Sequence, residues 1–230
     1  MNTYDLVREK AALAREAERN LSLIDTKTKN VALMAMAQAL LEQSETILFE
    51  NEKDMRRARE NAMKTSMLDR LQLTQARIEA MADGLRQVAQ LKDPVGVILD
   101  DRTLENGLNI KKVSVPLGVI GIIYEARPNV TADAIGLCIK SGNAVVLKGG
   151  SEALCSNIAI ATVLTNAAEQ NGIPHGAIQL IDVPEREAVT HLIRMNDLLD
   201  VVIPRGGAGL IRFVVQNASV PVIETGSGVC

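Results

Sequence analysis

Four short segments of this chain put cations or glycines where a folded backbone could meet an anion. They read Glu125-Ala-Arg-Pro-Asn-Val, Lys148-Gly-Gly-Ser-Glu, Pro204-Arg-Gly-Gly-Ala-Gly-Leu and Glu224-Thr-Gly-Ser-Gly-Val-Cys. Three of the four are glycine-rich, and three carry a cation: Arg127, Lys148 and Arg205. Glycine lets a ligand approach the backbone closely, and a helix that follows offers its unpaired N–H groups to an anion. Three cations converging on one rim would complete a site for a polyanion such as a phosphorylated nucleotide. A single glycine after a strand is ordinary turn punctuation, and a single lysine there is usually a solvated charge. The expectation therefore rests on these loops falling at the same end of one sheet. Neither G-x-G-x-x-G after the first strand nor G-x-x-x-x-G-K-[ST] anywhere is present, so a nucleotide would be held by other means.

The elements that must position these loops alternate strand and helix after Pro116. Strand candidates are Val119–Tyr124, Ala144–Leu147, Ile178–Ile181, Asp200–Ile203 and Val220–Ile223. Helical runs between them are Thr131–Lys140, Ser151–Gln170, Glu185–Met195 and Gly207–Gln216. Short apolar strands separated by helices predict βαβ units and a parallel sheet buried on both faces, a doubly wound, Rossmann-like α/β layer. In such a sheet ligands bind beyond the carboxyl ends of the strands, where the four segments would lie.

Upstream, residues 1–92 read as helices: Asp5 to Leu21, Val31 to Leu41, a run capped by Ser44 that carries Ile47, Leu48 and Met55, and a run capped by Thr74. In the last, Ile78, Met81, Leu85 and Val88 share one face, as core packing requires. Between 93 and 115 the period changes to two, which predicts a β-hairpin turning at Asn106-Gly107. Its edges want covering, so an oligomer contact is expected there. The domain reading is a helical part (1–92), a hairpin for oligomerisation (93–115) and an α/β nucleotide-binding part (116–230).

Composition narrows the function classes. Hydrophobic residues make up 47% and charged residues 23% of 230, which allows a large buried core. Two Tyr, two Phe and no Trp leave too few aromatic platforms to bind single-stranded nucleic acid by stacking, and a net charge of −3 gives no basic footprint. Three cysteines in no paired spacing (Cys138, Cys155, Cys230) and two His predict neither a disulfide framework nor a metal site, and suggest a reducing, cytoplasmic setting. The charged opening Met1 to Asn20 shows no leader, and the apolar run Val115 to Tyr124 is too short to span a bilayer.

The residues resemble the aldehyde dehydrogenase superfamily. Val115-Pro-Leu-Gly-Val-Ile-Gly-Ile-Ile is similar to its entry strand, and Ser141-Gly-Asn-Ala-Val-Val-Leu-Lys148 to the strand that ends in its cofactor lysine. Within the superfamily, Tyr124-Glu-Ala-Arg-Pro-Asn-Val-Thr, Leu147-Lys-Gly-Gly and Ile203-Pro-Arg-Gly-Gly-Ala-Gly-Leu resemble the gamma-glutamyl phosphate reductases, as do Met67-Leu-Asp-Arg-Leu-Gln-Leu-Thr and Asp93-Pro-Val-Gly. The resemblance implies NADPH-dependent reduction of L-glutamyl 5-phosphate to glutamate 5-semialdehyde and phosphate, the second step of proline biosynthesis. It implies a cysteine thioester reduced by hydride from the nicotinamide. A homo-oligomer is expected, with glutamate 5-kinase as a candidate partner.

Residue roles follow from the resemblance. Lys148 matches the lysine that reaches the adenosine ribose. Ser151 stands where many NAD-using relatives carry a ribose-binding Glu, with Gly149 and Gly150 before it. Losing that carboxylate beside a cation favours a 2′-phosphate, hence NADPH. Arg205, Gly206, Gly207 and Ala208 match the loop near the pyrophosphate. Ala126 replaces the usual oxyanion-hole Asn, and Arg127 with Asn129 become candidates for a substrate or cofactor phosphate. Glu224 matches the water-activating Glu of oxidising relatives, a role that acyl-phosphate reduction does not need.

In the reductases the nucleophile belongs to a Cys-Asn motif absent from these residues, so it is expected beyond this chain rather than at Cys230. Cys138 and Cys155 are expected to be inert core thiols. The alternatives are a nucleotide-binding module without turnover and a semialdehyde dehydrogenase that acylates CoA.

Overall fold

The structure, a computed structural model, describes residues 2–224. Five helices open the chain: α1 (Thr3–Leu21), α2 (Thr26–Glu42), α3 (Ser44–Glu60), α4 (Thr65–Leu71) and α5 (Gln75–Gln90). Side-chain oxygens start three of them. Asn2 accepts from Asp5 N–H, Asp25 from Thr28 N–H and Thr74 from Arg77 N–H, each satisfying a donor the helix cannot pair internally. The cap expected at Thr74 is present. Ser44 is not a cap: it lies buried as the first helical residue, and α3 continues directly from Gln43. Helix α4 went unread because seven residues give the apolar period little length to show, and Lys64 before it offers no capping oxygen.

The hairpin expected between 93 and 115 is β1 (Ile98–Thr103) paired antiparallel with β2 (Asn109–Val113). Its turn closes through Gly107 N–H to Leu104 O at 2.9 Å. Nearly every residue of both strands is exposed, Ile98, Leu99 and Val113 among them.

The sheet comprises β3 (Val119–Tyr124), β4 (Ala144–Lys148), β5 (Ile178–Leu180) and β6 (Val201–Arg205), all parallel, in the order β5-β4-β3-β6. Helices α6 (Asn129–Lys140), α7 (Leu154–Gln170), α8 (Glu187–Leu192) and α9 (Ala208–Asn217) connect the strands or follow the last. Strands β3 and β4 are buried throughout, as the apolar runs required. The fifth expected strand reduces to one bridge, Val202 to Val222. Val202 N–H donates to Pro221 O and Ile223 N–H to Val202 O, while Pro221 itself has no N–H to extend the ladder.

One continuous core joins α1, α2 and α5 to the sheet and α6 and α7. It is built from Ala, Leu, Ile, Val and Met, with Tyr124 and Cys138 the exceptions, as the scarcity of aromatics demanded. Chain order moves outward from β3 through β4 to β5, then returns to β6 on the other side of β3. That reversal opens a crevice between the carboxyl ends of β3 and β6. No helix among the described residues is long and apolar enough to cross a membrane.

Candidate functional site

The loops leaving β3, β4 and β6 do gather at the carboxyl edge of the sheet, and they frame two adjoining clefts. The first, of about 510 Å³, is lined by Lys148, Gly149, Gly150, Ser151 and Glu152 on one side and by Arg186, Val189, Leu210 and Phe213 on the other. The second, of about 770 Å³, is lined by Arg127, Arg205, Gly206, Gly207, Ala208 and Glu224, and also by Arg70 and Arg212. Tyr124 and Glu125 line both. The three expected cations thus do not share one rim: Arg127 and Arg205 face the second cleft, and Lys148 the first. Lys148 turns back, donating from Nζ to Gly149 O at 2.9 Å, and only 3% of it is exposed.

Burial lowers the Lys148 pKa below its ordinary value, opposed by the carboxylates of Glu152 and Glu185. A desolvated ammonium of this kind is poised to gain from an incoming anion. The strip after it must be glycine. A Cβ on Gly149 would lie 2.2 Å from Asn157 Nδ2 and 3.1 Å from the Tyr124 ring, both buried. Beneath Gly149 runs a buried relay. Thr131 Oγ1 donates to Asn157 Oδ1 at 3.1 Å, so the Tyr124 hydroxyl, 2.7 Å away, donates to Thr131. Burial pushes the Tyr124 phenol well above its usual pKa, which keeps it a donor.

The surroundings of Ser151 qualify the cofactor argument. Ser151 is exposed and carries no carboxylate, but the Glu152 carboxylate reaches back to within 2.4 Å of where a Cβ on Gly150 would stand. The space beside Lys148 is therefore not cleared of negative charge. Arg186, across the cleft, has no ion pair among the described residues and offsets it. Sequence reasoning missed Arg186 because the loop after β5 has no glycine to signal it.

At the crevice between β3 and β6, Gly207 caps α9. Its N–H donates to Glu125 Oε2 at 2.9 Å, so a carboxylate of the chain sits where an anion would meet that helix. Gly206 is needed for this contact: a Cβ there would lie 2.7 Å from Glu125 Cδ. Asn129, at the start of α6, donates from Nδ2 to Asp133 Oδ2 at 3.2 Å and lines a neighbouring cleft with Arg70 and Arg127. Burial raises the Asp133 pKa, with Asn129 and Arg205 opposing.

Of the cysteines, Cys138 is buried, and burial pushes its thiol up to about 12. Cys155 departs from expectation. It is partly exposed at the start of α7, with Arg57 Nη2 3.0 Å from its sulfur. Burial and Asp54 still raise its pKa against the pull of Arg57, which disfavours the nucleophilic thiolate. Cys230 lies outside the described residues, as do residues 225–229 of the segment that begins at Glu224. No group of His, Cys, Asp and Glu among the described residues could hold a metal ion.

Comparison with known proteins agrees with this layout. The sequence model of the aldehyde dehydrogenase family matches residues 2–225. The gamma-glutamyl phosphate reductase of Moorella thermoacetica is 58% identical over 230 residues, all of this chain and 55% of that protein. Its counterpart from Caldanaerobacter subterraneus subsp. tengcongensis is 56% identical over 97% of the chain and 54% of its own length. The crystal structure of gamma-glutamyl phosphate reductase from Thermotoga maritima superposes with a TM-score of 0.95 at 45% identity, over 96% of this chain and 54% of that one. The chain spans about half the length of the curated relatives it matches.

Proposed function

Because the chain belongs to the aldehyde dehydrogenase family, we propose that it forms the nucleotide-binding part of an NADPH-dependent reductase acting on L-glutamyl 5-phosphate. The product would be glutamate 5-semialdehyde with release of phosphate. Support for the substrate comes from the likeness to gamma-glutamyl phosphate reductases. The observation that carries the reading is the Lys148 cleft: a desolvated ammonium at the end of β4 faces apolar walls at Val189, Leu210 and Phe213.

These residues fit a dinucleotide. The apolar walls suit an adenine ring, Lys148 suits the ribose and its 2′-phosphate, and Gly149 keeps the backbone open. Arg186 adds a second cation toward a 2′-phosphate, against the opposing charge of Glu152. Arg205, Gly206, Gly207 and Ala208 would meet the pyrophosphate at the start of α9, once the Glu125 carboxylate gives way. A bound nicotinamide would supply hydride to the acyl carbon. The chain's part is to bind and orient, since neither Cys138 nor Cys155 suits a nucleophile. We assign the thioester-forming cysteine to the Cys-Asn motif that these residues lack, not to Cys230. Glu224 then stands beside the site without a water to activate. The hairpin, exposed on both faces with apolar side chains, suits an oligomer contact.

Saturation-transfer NMR with NADP⁺ tests the reading: adenosine protons should receive magnetisation, and Phe213→Ala should weaken the transfer. Unchanged transfer in that variant would place the adenine elsewhere. In parallel, the chain should not catalyse phosphate-dependent oxidation of glutamate 5-semialdehyde with NADP⁺. Turnover abolished by Cys230→Ser would overturn the cysteine assignment.

A further inference from the structure

The segment Met67-Leu-Asp-Arg-Leu-Gln-Leu-Thr is fastened to its surroundings from several sides. Leu71 of α4 is fully buried against Met55, Ala58 and Ala153. Buried Asn51 grips the chain on either side of Gln72, donating from Nδ2 to Leu71 O at 2.9 Å and accepting from Leu73 N–H at 2.8 Å. Arg77 fastens the outer side, pairing with Asp69 Oδ1 at 3.0 Å and donating to Gln72 O at 2.6 Å. A seven-residue helix fixed on three sides presents Arg70, a charged side chain that none of these contacts uses.

Arg70 and Arg127 line the second cleft together, and together they also line the smaller neighbouring one, so they form the wall between the two. Neither guanidinium makes an ion pair or hydrogen bond among the described residues, although Asp69 beside Arg70 is bound by Arg77. Arg205 and Arg212 also line this cavity, and the four guanidinium groups outnumber its carboxylates, Glu125 and Glu224, which favours entry of an anion. Planar guanidinium groups match the tetrahedral oxygens of a phosphate.

Resting on the reductase reading, we propose that Arg70 and Arg127 form a phosphate site separate from the Lys148 cleft, across the second cleft from the Arg205–Ala208 edge that would meet the cofactor's pyrophosphate, and that it takes the phosphoryl group of the acyl-phosphate substrate and of the phosphate released. The pair is a binding site for a phosphate monoester or inorganic phosphate, and it lies on the side of Glu125 away from Lys148. The contacts that pin α4 hold Arg70 at the wall of the cleft, where Arg127 arrives from the loop after β3.

Inorganic phosphate is the probe, titrated calorimetrically into this chain with and without saturating NADP⁺. Phosphate should bind in both conditions, and Arg70→Ala and Arg127→Ala should each weaken it about tenfold, the value of a lost charge-assisted contact. Both side chains are exposed, so the variants should melt like the parent. NADP⁺ affinity should change less than twofold in either. Phosphate binding abolished by saturating NADP⁺ would assign the arginines to the cofactor's own phosphates and overturn the proposal. Equal phosphate affinity in parent and variants would overturn it as well. Phosphate binding that depends on both arginines in a chain that fails to bind NADP⁺ would sustain the site while refuting the cofactor reading.

Discussion

The carboxylate of Glu125 accepts the Gly207 N–H at 2.9 Å, so the first residue beyond β3 caps the helix that leaves β6. This joins the two strands on either side of the crevice, whose backbones also meet through Glu125 N–H and Arg205 O. It also puts a negative charge where a cofactor diphosphate would lie. Glu125→Gln should therefore tighten NADP⁺ binding, by about fivefold if the removed repulsion is worth about 1 kcal/mol. Calorimetry of parent and variant checks this. Weaker binding by the glutamine variant would make Glu125 a contact to the cofactor rather than its competitor.

The base of the hairpin is secured by an ion pair between buried Lys29 and partly buried Asp93. Lys29 Nζ lies 2.5 Å from Asp93 Oδ2, and Asp93 also accepts from Thr26 and from Val95 N–H. Burial alone would raise the Asp93 pKa, but bonds from Lys29, Val95 and Thr26 outweigh it and hold the carboxyl below its ordinary value. Such a group contributes stability that is present above the unfolded pKa of about 3.9 and is lost as pH falls through the depressed value. Asp93→Asn should lower the unfolding free energy by about 3 kcal/mol at neutral pH, because it strands Lys29. Urea melts should show that gap closing below about pH 4. A gap independent of pH would contradict the ionic account.

Gly149 and Gly209 make a contrasting pair. Gly149→Ala drives a methyl against Asn157 and Tyr124, both buried, and should cost about 1–3 kcal/mol. Gly209 lies within α9 with nothing within 4 Å of an added Cβ, and Gly209→Ala should stabilise by up to about 1 kcal/mol. Thermal melts of the two variants should move in opposite directions. A Gly149→Ala protein that melts no lower than the parent would mean the strip beside Lys148 has room to spare.

The sheet was legible because β3 and β4 are buried on both faces, so Val119–Tyr124 and Ala144–Leu147 had to carry no charged residue. The hairpin was legible because Asn-Gly is local turn chemistry. What stayed hidden depends on distance through space. Arg70 sits on a helix too short to show a period, and Arg186 follows a strand with no glycine after it. Lys148 looked like a rim cation in sequence, yet its side chain folds back to Gly149 O, which separates it from Arg127 and Arg205. Ser151 does lack a carboxylate, but only the fold brings Glu152 back beside Gly150.

If Lys148 and its cleft recognise a dinucleotide through its 2′-phosphate, fluorescence titration of this chain should show NADPH binding more tightly than NADH, by about tenfold or more for charge-assisted contacts. Lys148→Ala should then lose most of that preference. Equal affinities for the two cofactors in the parent chain would contradict it.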